Sequence, residues 1–105
     1  MTVKLLPEEL LLRTSSLDRA SWNYHGILQR IQRSRFQAAC RLLGERKFEH
    51  LLEIGYGSGI FLPELAEHCR RLSAIDIHEH TQEVAQNLHD FQVTADLHQA
   101  EATSL

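Results

Sequence analysis

The segment 51–61, Leu-Leu-Glu-Ile-Gly-Tyr-Gly-Ser-Gly-Ile-Phe, constrains the fold of this chain more than any other stretch. A short apolar run leads into three glycines at alternate positions, and a second apolar run follows at once. Glycine has no Cβ and reaches positive φ without strain, so the pattern predicts a buried strand, a tight turn and then a helix. In α/β proteins this arrangement brings the backbone close to a nucleoside-bearing ligand.

The other predicted elements alternate around this turn. Upstream, residues 5–12 predict a short helix near Pro7. Residues 27–43 predict a long amphipathic helix, with Ile27, Ile31 and Leu42 in its apolar stripe, that Gly44 ends. A polar connector over 45–50 leads to a strand over 51–54. Downstream, the patterns predict a helix over 58–69, a strand over 72–77, a helix that Thr81 caps, and a third strand over 95–100. The predicted fold class is α/β, with N-terminal helices followed by a three-stranded parallel βαβαβ sheet.

Three kinds of glycine-rich loop can be compared with the turn at 55–59. A phosphate-binding P-loop requires a lysine after its last glycine, and no lysine follows Lys47, which excludes it. The dinucleotide-binding fingerprint places a small residue where this chain has Ile60, which disfavours a nicotinamide dinucleotide. What remains is G-x-G-x-G with an acid, Glu53, two residues ahead of the first glycine.

The segment Leu-Glu-Ile-Gly-Tyr-Gly-Ser-Gly-Ile-Phe resembles motif I of the class I (Rossmann-like) S-adenosylmethionine-dependent methyltransferases. The resemblance implies that the turn lies against the methionine part of the cofactor and that Glu53 contacts its ammonium group. A carboxylate beside exposed backbone suits a ligand that carries an ammonium and a sulfonium. The cofactor-binding residues that this motif implies are Glu53, Gly55, Tyr56, Gly57 and Gly59.

A second acid matches the same family. Asp76 stands 21 residues after Gly55, at the end of the second predicted strand. The resemblance implies that its carboxylate accepts hydrogen bonds from both ribose hydroxyls and that Ile77 packs against the adenine. A carboxylate suits a vicinal diol because it offers two acceptor oxygens.

The segment 99–105 resembles the family's stretch after the third strand. By that resemblance Glu101 accepts a hydrogen bond from the adenine amino group, and the backbone N–H of Ala102 meets a ring nitrogen. The sequence departs from the family by having glutamate in place of aspartate and Ala100 in place of glycine.

The resemblance covers residues 22–105, which gives an expected N-terminal extension over 1–21 and a truncated cofactor-binding domain over 22–105. The family sheet has seven strands in the order 3-2-1-4-5-7-6, and this chain is expected to hold the first three. Catalytic residues are then expected beyond Leu105, and the chain alone is expected to show no turnover. The methyl acceptor is not identified. The free edge of the first strand predicts a homodimer.

Other functions remain open on the sequence alone. A non-catalytic half-Rossmann module that binds a nucleoside or a partner protein is the main alternative. A fragment of a nicotinamide-dependent oxidoreductase is the weaker one.

Composition sets outer limits on the function. No run approaches the roughly 18 apolar residues of a membrane span, and acids at Glu8 and Glu9 argue against a secretory signal, so a cytoplasmic protein is expected. Cys40 and Cys69 are expected to be buried, reduced thiols in two separate helices. Residues 1–47 carry nine lysines or arginines and four acids, whereas 48–105 carry two and ten. The basic residues lack interleaved aromatics, so nucleic acid is not indicated.

Two further groups of residues invite a functional interpretation. Trp22 and Tyr24 precede the long helix, where members of the family place a lid over the cofactor; packing of the helix is the simpler interpretation. The acid and two histidines of Asp76-x-His78-x-His80 have alternate spacing, but no third or fourth ligand is evident, so no metal site is expected.

Overall fold

The computed structural model describes residues 2–104, and its centre is a three-stranded parallel sheet in the order β1-β2-β3. The strands are β1 (Phe48–Ile54), β2 (Cys69–Asp76) and β3 (Asp96–Gln99). The helices are α1 (Leu28–Leu43), α2 (Leu62–Ala66) and α3 (Thr81–Asp90), with single 3₁₀ turns at Glu8–Leu10, Ala20–Tyr24 and Ala102–Ser104. The predicted α/β fold class with parallel βαβαβ order is therefore confirmed.

The middle strand is the most deeply buried because it has a neighbour on each side. The residues Leu72, Ser73, Ala74 and Ile75 of β2 are all buried, as expected for a parallel strand covered on both faces. In the register, Ile54 is opposite Ile75, and Asp76 is opposite Gln99. The carboxyl ends of all three strands thus meet at one edge of the sheet, where the glycine turn and the segment after Asp76 begin.

The N-terminal segment packs into the same core as the sheet. Leu6 is fully buried, and its N–H donates to the carbonyl of Ile60 at 2.9 Å. The backbone N–H of Lys4 donates to the Glu64 carboxylate at 2.7 Å. The division of the chain between residues 21 and 22 stays a prediction, and its outer limit, Leu105, lies outside the described residues.

Several predicted boundaries were wrong: the helix expected over 58–69 begins only at Leu62, and the helix expected over 5–12 is the single 3₁₀ turn Glu8–Leu10. The strand begins at Phe48 rather than at residue 51, so part of the expected polar connector pairs with β2. The helix after the glycine turn ends at Ala66, and Cys69 is the first residue of β2 instead of the last helical one. The segment around Cys69 lies beside the start of β1 because the N–H of Phe48 donates to the carbonyl of His68 at 2.7 Å. The residue before α3 is His80, and no side chain caps this helix.

The long helix agrees with prediction in length but only partly in its apolar face. It ends at Leu43, and the next residue, Gly44, has a φ of +63° and donates its N–H to the Cys40 carbonyl. Cys40 is buried and Phe36 stacks on Phe61 with ring centroids 4.6 Å apart, whereas Ile31 is exposed. Both thiols are buried as expected. No helix among residues 2–104 is long and apolar enough to span a membrane.

Gly59 shows why the third glycine of the turn is needed. Its φ is +83°, and a Cβ built there would lie 3.1 Å from a methyl of Val84 and 3.7 Å from one of Leu88. Gly59→Ala is therefore expected to destabilise the fold by about 2–4 kcal/mol, through overpacking and left-handed strain together. Urea denaturation measures this loss. Gly26→Ala, at a φ of +54° with open space around it, is the control and should lose only about 1–2 kcal/mol. Equal losses would contradict the packing role.

Candidate functional site

The glycine turn lies at the carboxyl end of β1 and is hydrogen-bonded to the end of β2. The N–H of Gly55 donates to the carbonyl of Ile75 at 2.8 Å. Gly57, with φ +55°, donates its N–H to Oδ2 of Asp76 at 2.8 Å. Left-handed φ at these positions is available to glycine at little cost, which explains the local sequence. The turn thus exposes backbone beside two carboxylates, those of Glu53 and Asp76.

Two hollows lie on either side of Gly57. The first, about 210 Å³, is bordered by Glu53, Gly55, Tyr56 and Ser58 together with Asn23 of the N-terminal segment. The second, about 290 Å³, is bordered by Asp76, Ile77 and His78 together with Thr14 and Leu17. Gly57 and Asp18 border both. Because small-molecule sites usually occupy about 300–1,000 Å³, the pair has the size of one elongated ligand site.

A third hollow adjoins the second. It is bordered by Ile77, Gln99, Ala100 and Glu101, and it shares Ile77 with the second hollow. The Gln99 amide donates to the Ile77 carbonyl at 3.3 Å, which ties the ends of β2 and β3 together. Ile77 is largely exposed, so its side chain is available to a flat apolar group.

The first hollow presents acceptors that lack partners. Asn23 and Ser58 are each 1% exposed, and their Oδ1 and Oγ atoms form no hydrogen bond within the described residues. Burial, and secondarily repulsion by the Asp76 carboxylate, raise the pKa of Glu53 from 4.5 to about 7. Arg19 also borders this hollow, but its guanidinium donates to the Ser16 carbonyl at 2.8 Å and lies 5.0 Å from the Trp22 ring centroid, and it does not offset that shift. Since buried polar groups normally find partners, this set of oxygens fits a ligand that donates several hydrogen bonds and carries positive charge.

The carboxylate of Asp76 has both oxygens engaged by backbone donors but keeps acceptor capacity. Oδ1 accepts from the N–H of Ile77 at 2.7 Å and, at 3.4 Å, from that of His78. Oδ2 accepts from Gly57. A carboxylate offers about four lone-pair sites, so the oxygens can also accept from hydroxyl groups of a ligand.

The structure does not bring every predicted site residue to these hollows. Glu53, Gly55, Tyr56, Gly57, Asp76, Ile77 and Glu101 border them. Gly59 instead faces α3, and Ala102, in the last 3₁₀ turn, borders none of the three.

The aromatic residues of the N-terminal segment do not border the hollows either. The Tyr24 hydroxyl donates to the Leu6 carbonyl, and the Arg33 guanidinium lies 5.1 Å from its ring centroid. Trp22 stacks near Arg19, at 5.0 Å. Asn23, between the two aromatics, does border the first hollow. Neither Asn23 nor Ser58 nor His78 was predicted as a site residue from the sequence; the only signal for Ser58 is its place between two glycines.

A separate cluster has the donor set of a metal site. The ligand atoms of Cys40, Glu64 and His68 lie within 4.8 Å of one another. These side chains already have partners. Nε2 of His68 lies 2.7 Å from the Glu64 carboxylate, which also accepts from the backbone N–H of Lys4. Burial, together with the adjacent Glu64, raises the pKa of the Cys40 thiol. The cluster thus joins α1, α2 and the N-terminal segment, and the expectation of no metal site stays a prediction.

The sequence and fold comparisons agree on the class of protein. The family described as "Methyltransferase domain" matches residues 52–105, and the chain belongs to this family, whose methyl donor is S-adenosylmethionine. No curated protein sequence matches the chain.

Two solved structures share the fold. One is the 23S rRNA methyltransferase ErmE, with a TM-score of 0.58 and 19% identity, covering 70% of this chain and 30% of ErmE. The other is the N-methyltransferase NodS from Bradyrhizobium japonicum WM9 in complex with S-adenosylhomocysteine, with a TM-score of 0.54 and 19% identity, covering 81% of this chain and 43% of NodS. The chain therefore spans less than half the length of these two methyltransferases, and the likeness establishes the class I fold.

Proposed function

We propose that the three hollows bind S-adenosylmethionine along their length and that this chain is the donor-binding part of a methyltransferase. The observation that carries the proposal is the first hollow, which Glu53 borders together with Asn23 and Ser58, whose Oδ1 and Oγ atoms form no hydrogen bond within the described residues. An α-ammonium group has three N–H donors and a positive charge, which would satisfy all three side chains.

The remaining residues would hold the rest of the cofactor. The backbone of Gly55 and Gly57, with Tyr56 at the floor of the turn, would lie against the amino-acid part. Asp76 would accept from the ribose hydroxyls, because its oxygens keep lone pairs free. Ile77 and Glu101, which border the third hollow, would contact the adenine; the roles of Gly59 and Ala102 in binding have no such support. When bound, the cofactor supplies an electrophilic methyl group on a sulfonium.

Calorimetry with S-adenosylhomocysteine and with NAD tests this proposal. Saturable binding of the first, with no binding of the second at the same concentration, is the expected result. Glu53→Gln should weaken binding, while Glu49→Gln, an exposed acid on the same strand, should leave it unchanged. Binding of NAD alone would support the oxidoreductase alternative, and binding of neither would support a module for a partner protein.

We further propose that methyl transfer requires more than the described residues provide. The hollows account for donor contacts, and the two solved methyltransferases are each more than twice as long as the stretch they share with this chain. The methyl acceptor and the residues that activate it are not assigned. The 105-residue chain should bind the donor without transferring label from it to a panel of small-molecule, protein and RNA acceptors; transfer to any of them would contradict this.

The free edge of β1 supports a proposed homodimer. β1 has β2 on one side only within residues 2–104, and its Leu52 and Ile54 are 48% and 60% exposed. An exposed apolar edge strand tends to pair with another strand. The chain is expected to be a dimer at micromolar concentration by multi-angle light scattering. Leu52→Lys should shift it to monomer, whereas Leu42→Lys, on exposed α1 surface, should not. A monomeric wild-type chain would contradict the proposal.

A further inference from the structure

Two side chains of the Asp76-x-His78-x-His80 pattern form hydrogen bonds with the glycine turn. The imidazole of His80 turns away to Glu83, with Nδ1 2.8 Å from the carboxylate. Asp76 and His78 both reach Gly57: Oδ2 of Asp76 accepts from its N–H, and Nε2 of His78 lies 2.8 Å from its carbonyl oxygen. The two side chains thus hold both polar groups of Gly57, the residue of the glycine turn that borders both main hollows.

The hydrogen bonds fix which nitrogen of His78 carries the proton. The backbone N–H of His80 points at Nδ1 of His78 at a distance of 3.0 Å, so Nδ1 must accept. A neutral imidazole has one accepting and one donating nitrogen, so Nε2 carries the proton and donates to the Gly57 carbonyl.

The ring of His78 is held from several directions. Its side chain is 7% exposed, and it packs against the Tyr56 ring in a T-shaped arrangement with centroids 4.9 Å apart. The Tyr56 hydroxyl in turn lies 3.4 Å from Oγ1 of Thr81, at the start of α3. A side chain with this little freedom can fix the orientation of a peptide group that it bonds.

We propose that His78 is a positioning residue for the cofactor: by donating from Nε2 to the Gly57 carbonyl, it keeps the turn in the conformation that binds S-adenosylmethionine. Gly57 has φ +55°, a conformation that is one of several open to glycine, so the backbone needs an external bond to select it. The inference rests on the proposed function, since it assigns a role within the same site.

Two amide substitutions separate positioning from packing. The amide of asparagine reaches about as far as Nδ1, and that of glutamine about as far as Nε2, so each replaces one of the two bonds of His78. His78→Gln keeps a donor for Gly57 and loses the acceptor for His80. His78→Asn does the reverse. His80→Ala is the control, because it keeps the backbone N–H and removes only the exposed ring.

The expected result is a difference between the two amides in affinity for S-adenosylhomocysteine. His78→Asn should bind about tenfold more weakly than wild type, whereas His78→Gln and His80→Ala should stay within about threefold, on the usual strength of one hydrogen bond. Urea denaturation of the same variants identifies any that lose affinity through unfolding. Equal affinities for the two amides, or a loss in His78→Gln alone, would overturn the proposal.

Two measurements without ligand keep this inference distinct from the proposed function. Ring ¹⁵N spectra of wild type should show the proton of His78 on Nε2, and hydrogen exchange at the Gly57 amide should be faster in His78→Asn than in His78→Gln. If wild type fails to bind S-adenosylhomocysteine, the proposed function fails, and these two readouts still decide whether His78 holds the turn. A proton on Nδ1, or equal exchange in the two variants, contradicts the role of His78 even where binding is normal.

Discussion

Glu53→Gln is expected to stabilise the fold at pH 8 by about 1–3 kcal/mol while it weakens binding of S-adenosylhomocysteine by about 10- to 100-fold. Burial and the Asp76 carboxylate raise the pKa of Glu53 to about 7. The folded chain therefore holds a proton that the unfolded chain releases near pH 4.5. The stability that this proton contributes is fully present below about pH 4.5 and is lost as the pH rises through about 7.

Urea denaturation at pH 5 and pH 8 measures both parts of this dependence. Wild type should lose stability between the two pH values, and Glu53→Gln should lose less, because its amide does not titrate. Glu49→Gln is the matched control on the same strand, and it should follow wild type because Glu49 is exposed. Parallel pH slopes for wild type and Glu53→Gln would show that Glu53 is not held in the way the structure indicates. A residue that costs stability and serves binding is common at functional sites.

Asp76→Asn has the second large expected effect, because it leaves one backbone donor of the turn without an acceptor. Asparagine has a single acceptor oxygen, so it can accept from either Gly57 or Ile77 but not from both. We expect a loss of about 1–3 kcal/mol at pH 5 and an affinity for S-adenosylhomocysteine at least about 100-fold lower. The loss of stability should be smaller at pH 8, because removing the Asp76 charge also removes one cause of the raised pKa of Glu53.

A double-mutant cycle checks that coupling. In the Glu53→Gln background, Asp76→Asn should cost the same at pH 5 and at pH 8, because the partner charge is gone. Asp90→Asn, an exposed acid at the end of α3, is the control and should change stability little at either pH. An Asp76→Asn effect that is independent of pH in the wild-type background would exclude the interaction between the two carboxylates.

The parts of the fold that the sequence predicted are those set by local pattern. The strand-glycine-helix segment, and the position of Asp76 at a strand end, could be predicted because apolar runs and glycines mark them directly. The start of β2 at Cys69 could not be predicted, since the apolar spacing of α2 continues past the end of that helix. Only the pairing of Cys69 with Phe48 decides the boundary. Helical spacing likewise could not tell that Ile31 faces solvent.

The parts of the site that the sequence missed depend on contacts between distant segments. Leu6 enters the core and draws the N-terminal segment across the turn, which is how Asn23 comes to border the first hollow. His78 was considered only as a metal ligand, because nothing in the local pattern shows that its ring reaches back to Gly57. The third glycine of the turn was assigned to the cofactor, whereas the structure accounts for it by contact with α3.

Proton release on ligand binding tests the central claim most directly. If the ammonium group of S-adenosylhomocysteine lies beside Glu53, binding should lower the pKa of that carboxyl. Calorimetric titrations at pH 7 in buffers of different ionisation enthalpy should then show release of about half a proton per ligand bound in wild type, and close to none in Glu53→Gln. Binding without proton release, or the same release in Glu53→Gln, would contradict the placement of the cofactor's ammonium group in the first hollow.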